Sequence, residues 1–160
     1  MGSTGTACEL PVSFDVEKGW KPTGISAEDA ELFGSFLGRK SARGACEIDA
    51  KPAGMIGFMR VWITDRTDDS PRQVLKTFMS EEKNVTERKF NNTKAGDLPA
   101  AEVVYTTKSP LLDEPKQERA LAVTTPKDAV IVHLGGLDTD EHKEMLPAYE
   151  RAKKTMTPTD

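Results

Sequence analysis

No stretch of this 160-residue chain approaches the roughly 18 consecutive apolar residues that a membrane-spanning helix needs. Charge of one sign is not in excess either: 22 Lys and Arg stand against 26 Asp and Glu, both interspersed, for a net charge of −4. There is no basic block, and Lys and Arg do not interleave with aromatics, which excludes an ordinary nucleic-acid binder. The opening "MGSTGTA" lacks the charged and apolar regions of a signal peptide. It reads either as the start of a cytosolic protein or as a chain whose targeting segment lies outside this sequence. Neither G-x-S-x-G nor a phosphate-binding glycine loop occurs; "HLGGLD" fits neither pattern. Cysteine and histidine occur twice each. Cys8 and Cys46 have no CxxC spacing, and His133 and His142 do not complete a tetrahedral set, so no metal or other cofactor is expected.

What is present fits one domain of ordinary size. Val12–Val16 and the piece carrying Trp20 read as short strands around a turn at Gly19. "SAEDAELFGSFLG" has a capping Ser26 and helical spacing of Leu32, Phe33, Phe36 and Leu37, predicting a helix over 27–37. Ala45–Ala50 and Met55–Thr64 read as strands. In the second, Ile56, Phe58, Arg60 and Trp62 face one way and Met59, Val61 and Ile63 the other, the mark of a strand covered on both sides. Ser70, Pro71 and the stripe Val74, Leu75, Phe78, Met79 predict a helix over 71–82. Strands follow at Thr86–Asn91, Pro99–Thr107, Gln117–Thr124 and Ala129–Leu134, the last two as a hairpin. Pro147 is unfavourable in a helix interior, so the last helix is expected at 146–156, with Met145, Tyr149, Ala152 and Met156 on one face.

Four segments in this order carry a resemblance: "VSFDVEKGWKP", "GFMRVWITD" with "SPRQVLKTFM", "GDLPAAEVVYTTK", and "ERALAVTTPKDAVIVHLGG…MLPAYERAKKTM". Together they resemble the PsbP-like fold family, and within it actinobacterial extracytoplasmic lipoproteins of the LpqN type. The resemblance spans about residues 11–157. It implies an α+β fold, an antiparallel β-sheet with helices on both faces in an α/β/α sandwich, behind a flexible N-terminal segment over residues 1–10. It implies export and an accessory or binding role, and it supplies no catalytic motif.

Before the resemblance is considered, Cys8 and Cys46 are open to two readings, buried free thiols or a disulfide. The small residues Thr6 and Ala7 also give Cys8 a faint likeness to a lipoprotein cysteine. Export implies an oxidising compartment, and with it a Cys8–Cys46 disulfide. The expected function is then a monomeric, non-enzymatic binding domain that contacts a protein or a cell-envelope component. No nucleic acid is expected, and the membrane is reached only through an N-terminal lipid anchor outside this chain. The rival is a small-ligand or lipid carrier with an apolar pocket between sheet and helices, lined by Trp20, Phe58, Trp62 and Tyr105. Leu111 and Leu112, rimmed by Pro110, Asp113, Glu114 and Pro115, are a candidate partner contact. The acidic run Asp138, Asp140, Glu141, His142, Glu144 is read as capping a helix rather than as holding a metal.

Overall fold

The computed structural model describes residues 1–65, 68–108 and 114–159. Its elements are β1 (Val12–Ser13), β2 (Lys21–Gly24), α1 (Ala27–Leu37), β3 (Arg43–Asp49), β4 (Phe58–Thr64), α2 (Pro71–Ser80), β5 (Val85–Ala95), β6 (Leu98–Thr107), β7 (Lys116–Thr124), β8 (Ala129–Gly135), α3 (Thr139–Lys154) and β9 (Thr157–Pro158). Seven strands form one antiparallel sheet in the order β2-β3-β4-β8-β7-β6-β5. The predicted β7–β8 hairpin is present. β4 lies inside the sheet between β3 and β8, with Trp62 in one core and Met59, Val61 and Ile63 in the other.

α2 covers one face. Ser70 Oγ accepts the Gln73 N–H at its start, Pro71 occupies the first turn, and Val74, Leu75, Phe78 and Met79 are buried. They pack on Trp62, Ala101, Val103, Tyr105, Ala122 and Ile131. α3 covers the other face through Met145, Ala148, Tyr149 and Ala152, next to Val61, Leu121, Val132 and Leu134. α1 lies against β3, capped by Ser26 and closed by Gly38 at φ 69°, a left-handed position that favours glycine.

Three expectations change. α3 begins at Thr139, not near Leu146, and contains Pro147. Asp138 caps it, and burial of His142 and Met145 holds the first turns. Pro147 and Lys143, whose carbonyl Pro147 cannot serve, both face solvent, so the lost bond is left to water. The strand expected over Val12–Val16 ends at Ser13, because Phe14 N–H donates to Met1 O and Asp15 N–H to Thr155 Oγ1 instead of to a ladder.

Residues 1–10 are packed into the domain rather than trailing from it. Cys8 and Leu10 are buried, Leu10 N–H donates to Gly2 O, and the Met1 ammonium donates to Phe14 O. β9, which sequence periodicity does not reveal, pairs with β1 and brings the two ends of the chain together.

Candidate functional site

The ten residues of α2 span about 15 Å. The nine and ten residues of β7 and β6 extend about 30 Å. One half of that sheet face therefore lies beyond the helix. The strands change chemistry at the same place. Along the α2 face, β4 runs from Trp62 to Arg60 and Phe58, β8 from Ile131 to His133, and β7 from Ala122 and Ala120 to Glu118. The result is a cleft of about 310 Å³ lined by Phe58, Arg60, Trp62, Glu118, His133 and Lys116, with Arg39, Glu82, Asn84, Thr107 and Lys108 around it.

Register assembles its centre. Arg60 lies opposite His133, and Tyr105 opposite Glu118. Glu118 Oε1 is 2.9 Å from His133 Nε2 and accepts the Tyr105 hydroxyl at 3.1 Å. Its Oε2 is 2.9 Å from Lys116 Nζ, which also donates to Gly136 O. Burial works against ionisation of Glu118, but the hydrogen bond and charge of His133, reinforced by Lys116, outweigh it and lower its pKa to about 2. The anionic carboxylate is thus the acceptor, and His133 Nε2 carries the hydrogen. Burial and the adjacent carboxylate push the Tyr105 phenol well up, so it stays a neutral donor.

Arg39 forms one wall. Its guanidinium lies 3.4 Å from the Phe78 ring centroid and 5.1 Å from that of Trp62. Nη1 donates to Phe78 O, Nη2 pairs with Glu82, and Nε is buried without a hydrogen-bond partner among the described residues. Desolvation lowers the Arg39 pKa, and Glu82 and Glu81 oppose that shift. Arg60 extends over Phe58 and reaches Glu47 at 3.3 Å.

The four aromatics expected around one pocket do not meet. Phe58 and Trp62 line the cleft and Tyr105 lies just behind Glu118, whereas Trp20 is buried in the core on the other face. Between the sheet and α2 the space is filled by Trp62, Phe78 and Tyr105, each no more than 1% exposed. A separate crevice of about 440 Å³ lies between α1 and β3, lined by Ile25, Ala30, Gly34, Ala42 and Gly44 together with charged Glu31, Arg39 and Arg43. Leu111 and Leu112 lie outside the described residues.

In the acidic run, Asp138 accepts the Glu141 N–H, and the Glu141 carboxylate accepts the N–H groups of Leu137 and Ile56, so these groups serve backbone donors. Among the described residues no cluster of three or more His, Cys, Asp or Glu is placed to hold a metal. Cys8 and Cys46 form a disulfide, with Cα atoms 5.9 Å apart. With its sulfur committed there, Cys8 is not free to carry a lipid.

Sequence reasoning gives Glu118, Lys116, Arg39 and His133 no role in a site. A signal was present. "KQERALAVT" places Glu118 in register with Ala120 and Ala122, a charge on an inward face, and His133 follows Val130 and Val132 in a strand buried throughout. Only the pairing of β7 with β8 shows that the two meet.

No curated protein matches the chain. Among solved structures it is similar to LpqN, described as involved in cell envelope biogenesis of Mycobacterium tuberculosis. That match has a TM-score of 0.64 at 15% identity and covers 99% of this chain and 88% of the other. It is also similar to the cyanobacterial PsbP protein CyanoP of Synechocystis sp. PCC 6803, with a TM-score of 0.58 at 9% identity, covering 97% and 95%. At these identities the likeness is one of fold, and it is the PsbP-like, LpqN-type fold. No helix among the described residues is long and apolar enough to cross a membrane. The sequence itself matches, over residues 1–156, the family described as "Uncharacterised lipoprotein", and this chain belongs to that lipoprotein family.

Proposed function

We propose that this chain is an exported, extracytoplasmic and non-enzymatic binding domain that acts as a monomer and contacts a protein or cell-envelope component through the cleft beyond α2. The observation that carries the reading is the cleft itself, a preformed, charged recess on a rigid sheet whose core is otherwise filled. Membership in a lipoprotein family supports the location. The fold shared with LpqN, a protein of envelope biogenesis, supports the setting. The non-enzymatic part rests on the bonds of Glu118, whose two oxygens are engaged by Tyr105, His133 and Lys116. A lipid carrier would find its space in the α1–β3 crevice rather than among the four aromatics.

The test is photo-crosslinking in the native cell envelope. A photoreactive residue at Thr107, on the cleft rim, is compared with one at exposed Glu144 on α3. A discrete adduct from Thr107 alone is expected. Adducts from neither position, or equally from both, overturn the proposal.

A further inference from the structure

The cleft holds hydrogen-bond donors that no acceptor among the described residues uses. Two carboxylates line it, Glu82 and Glu118, and four cations, Arg39, Arg60, Lys108 and Lys116, of which Arg60 is paired with Glu47 outside the lining and Arg39 also faces Glu81. Both carboxylates are engaged from within, Glu82 by Arg39 and Glu118 by His133, Lys116 and Tyr105. On the donor side, Arg39 Nε–H has no acceptor among the described residues although the Arg39 side chain is only 4% exposed. Lys116 uses two of its three N–H groups, on Glu118 and Gly136. Exposed Lys108 forms no ion pair with any described residue. Phe58 and Trp62 supply apolar walls beside these donors. A volume of about 310 Å³ is that of a small-molecule site.

We infer that the cleft is an oxyanion site, taking the phosphate or carboxylate of a small organic ligand or lipid headgroup, with Lys108 and Lys116 meeting the negative charge and Phe58 and Trp62 flanking the group that bears it. Glu118, held as an anion, fixes Lys116 and His133 in place and makes the site selective for one compact anion over a polyanionic chain. The inference rests on the proposed role of the cleft as the contact surface and names the chemistry it recognises.

The test uses a Trp20→Phe variant, whose remaining tryptophan, Trp62, lies in the cleft wall while the replaced one lies on the opposite face. Tryptophan fluorescence is followed during titration with inorganic phosphate, acetate and vesicles of phosphatidylcholine with or without phosphatidic acid. Saturable binding is expected, weakened at least five-fold by Lys108→Glu, an exposed change that spares the core, and weakened further by added salt. Binding of phosphate or acetate in solution identifies a free ligand; binding only of phosphatidic-acid vesicles identifies a headgroup. No saturable response to any probe, or one that Lys108→Glu leaves unchanged, overturns the inference. The outcome is separable from the proposed function, because a Thr107 adduct without oxyanion binding removes this inference alone.

Discussion

At the scale of the residue, the two histidines have opposite environments, and that of His142 predicts a pH dependence. His133 lies against an anion. His142 is fully buried, its Nε2 accepts the Arg119 Nε–H at 3.2 Å, and its Nδ1 has no partner among the described residues. Arg119 in turn faces Glu150 at 4.0 Å. Desolvation first, and then the Arg119 charge, lower the His142 pKa from 6.5 to about 4. Between these values the unfolded chain binds a proton that the native state does not. The contribution of a neutral His142 is therefore fully present above about pH 6.5 and is lost as pH falls toward 4. Glu118 behaves as a depressed carboxylate, its contribution being lost only from 4.5 down toward 2. Acid unfolding should come in two stages. His142→Gln keeps an acceptor for Arg119 and removes the proton site. In denaturant titrations at a series of pH values it should flatten the loss of stability between 6.5 and 4 and leave the lower stage intact. An unchanged upper stage would show that another group titrates there.

At the scale of the element, α2 carries the clearest correspondence between sequence and structure. A Ser cap, a first-turn Pro and four apolar residues at helical spacing are local signals, and the helix forms where they place it. Phe78 is its anchor, buried between Trp62 and the Arg39 guanidinium. Phe78→Ala should cost roughly 3–5 kcal/mol in urea unfolding, by lost burial and a residual cavity. A cost below about 1 kcal/mol would mean that the site collapses around the gap. α3 was legible only in part. Pro147 is a strong local reason to start a helix late, and it is outweighed by packing of His142 and Met145 that no local pattern discloses. The cleft was the least legible feature. Glu118 and His133 are 15 residues apart and Arg39 is far from both, so their meeting is a property of register and of where a short helix stops. The aromatics were visible in the sequence, but Trp20 precedes β2 and sits across the sheet from Trp62, which strand alternation within one segment does not reveal.

At the scale of the whole molecule, the disulfide and the β1–β9 pair join the N-terminal segment to the sheet and to the end of α3. Cys8 is tied to Cys46 in β3, while Thr159 N–H donates to Pro11 O and its hydroxyl to Leu10 O. These ties lie on the α3 face, opposite the cleft. The loop closed by the bridge is 38 residues long, and in the chain-entropy model the cross-link contributes about 4 kcal/mol by restricting the unfolded state. Replacing both cysteines with alanine should lower unfolding stability by about that amount. The loss should also be local in the native state. Amide exchange should accelerate at Leu10 and Phe14, whose N–H groups donate to Gly2 and Met1, while amides of β7 and β8 keep the protection set by global unfolding. If the variant instead loses protection evenly across β7, β8 and the N-terminal segment, the first ten residues are part of the cooperative core rather than a stapled flap.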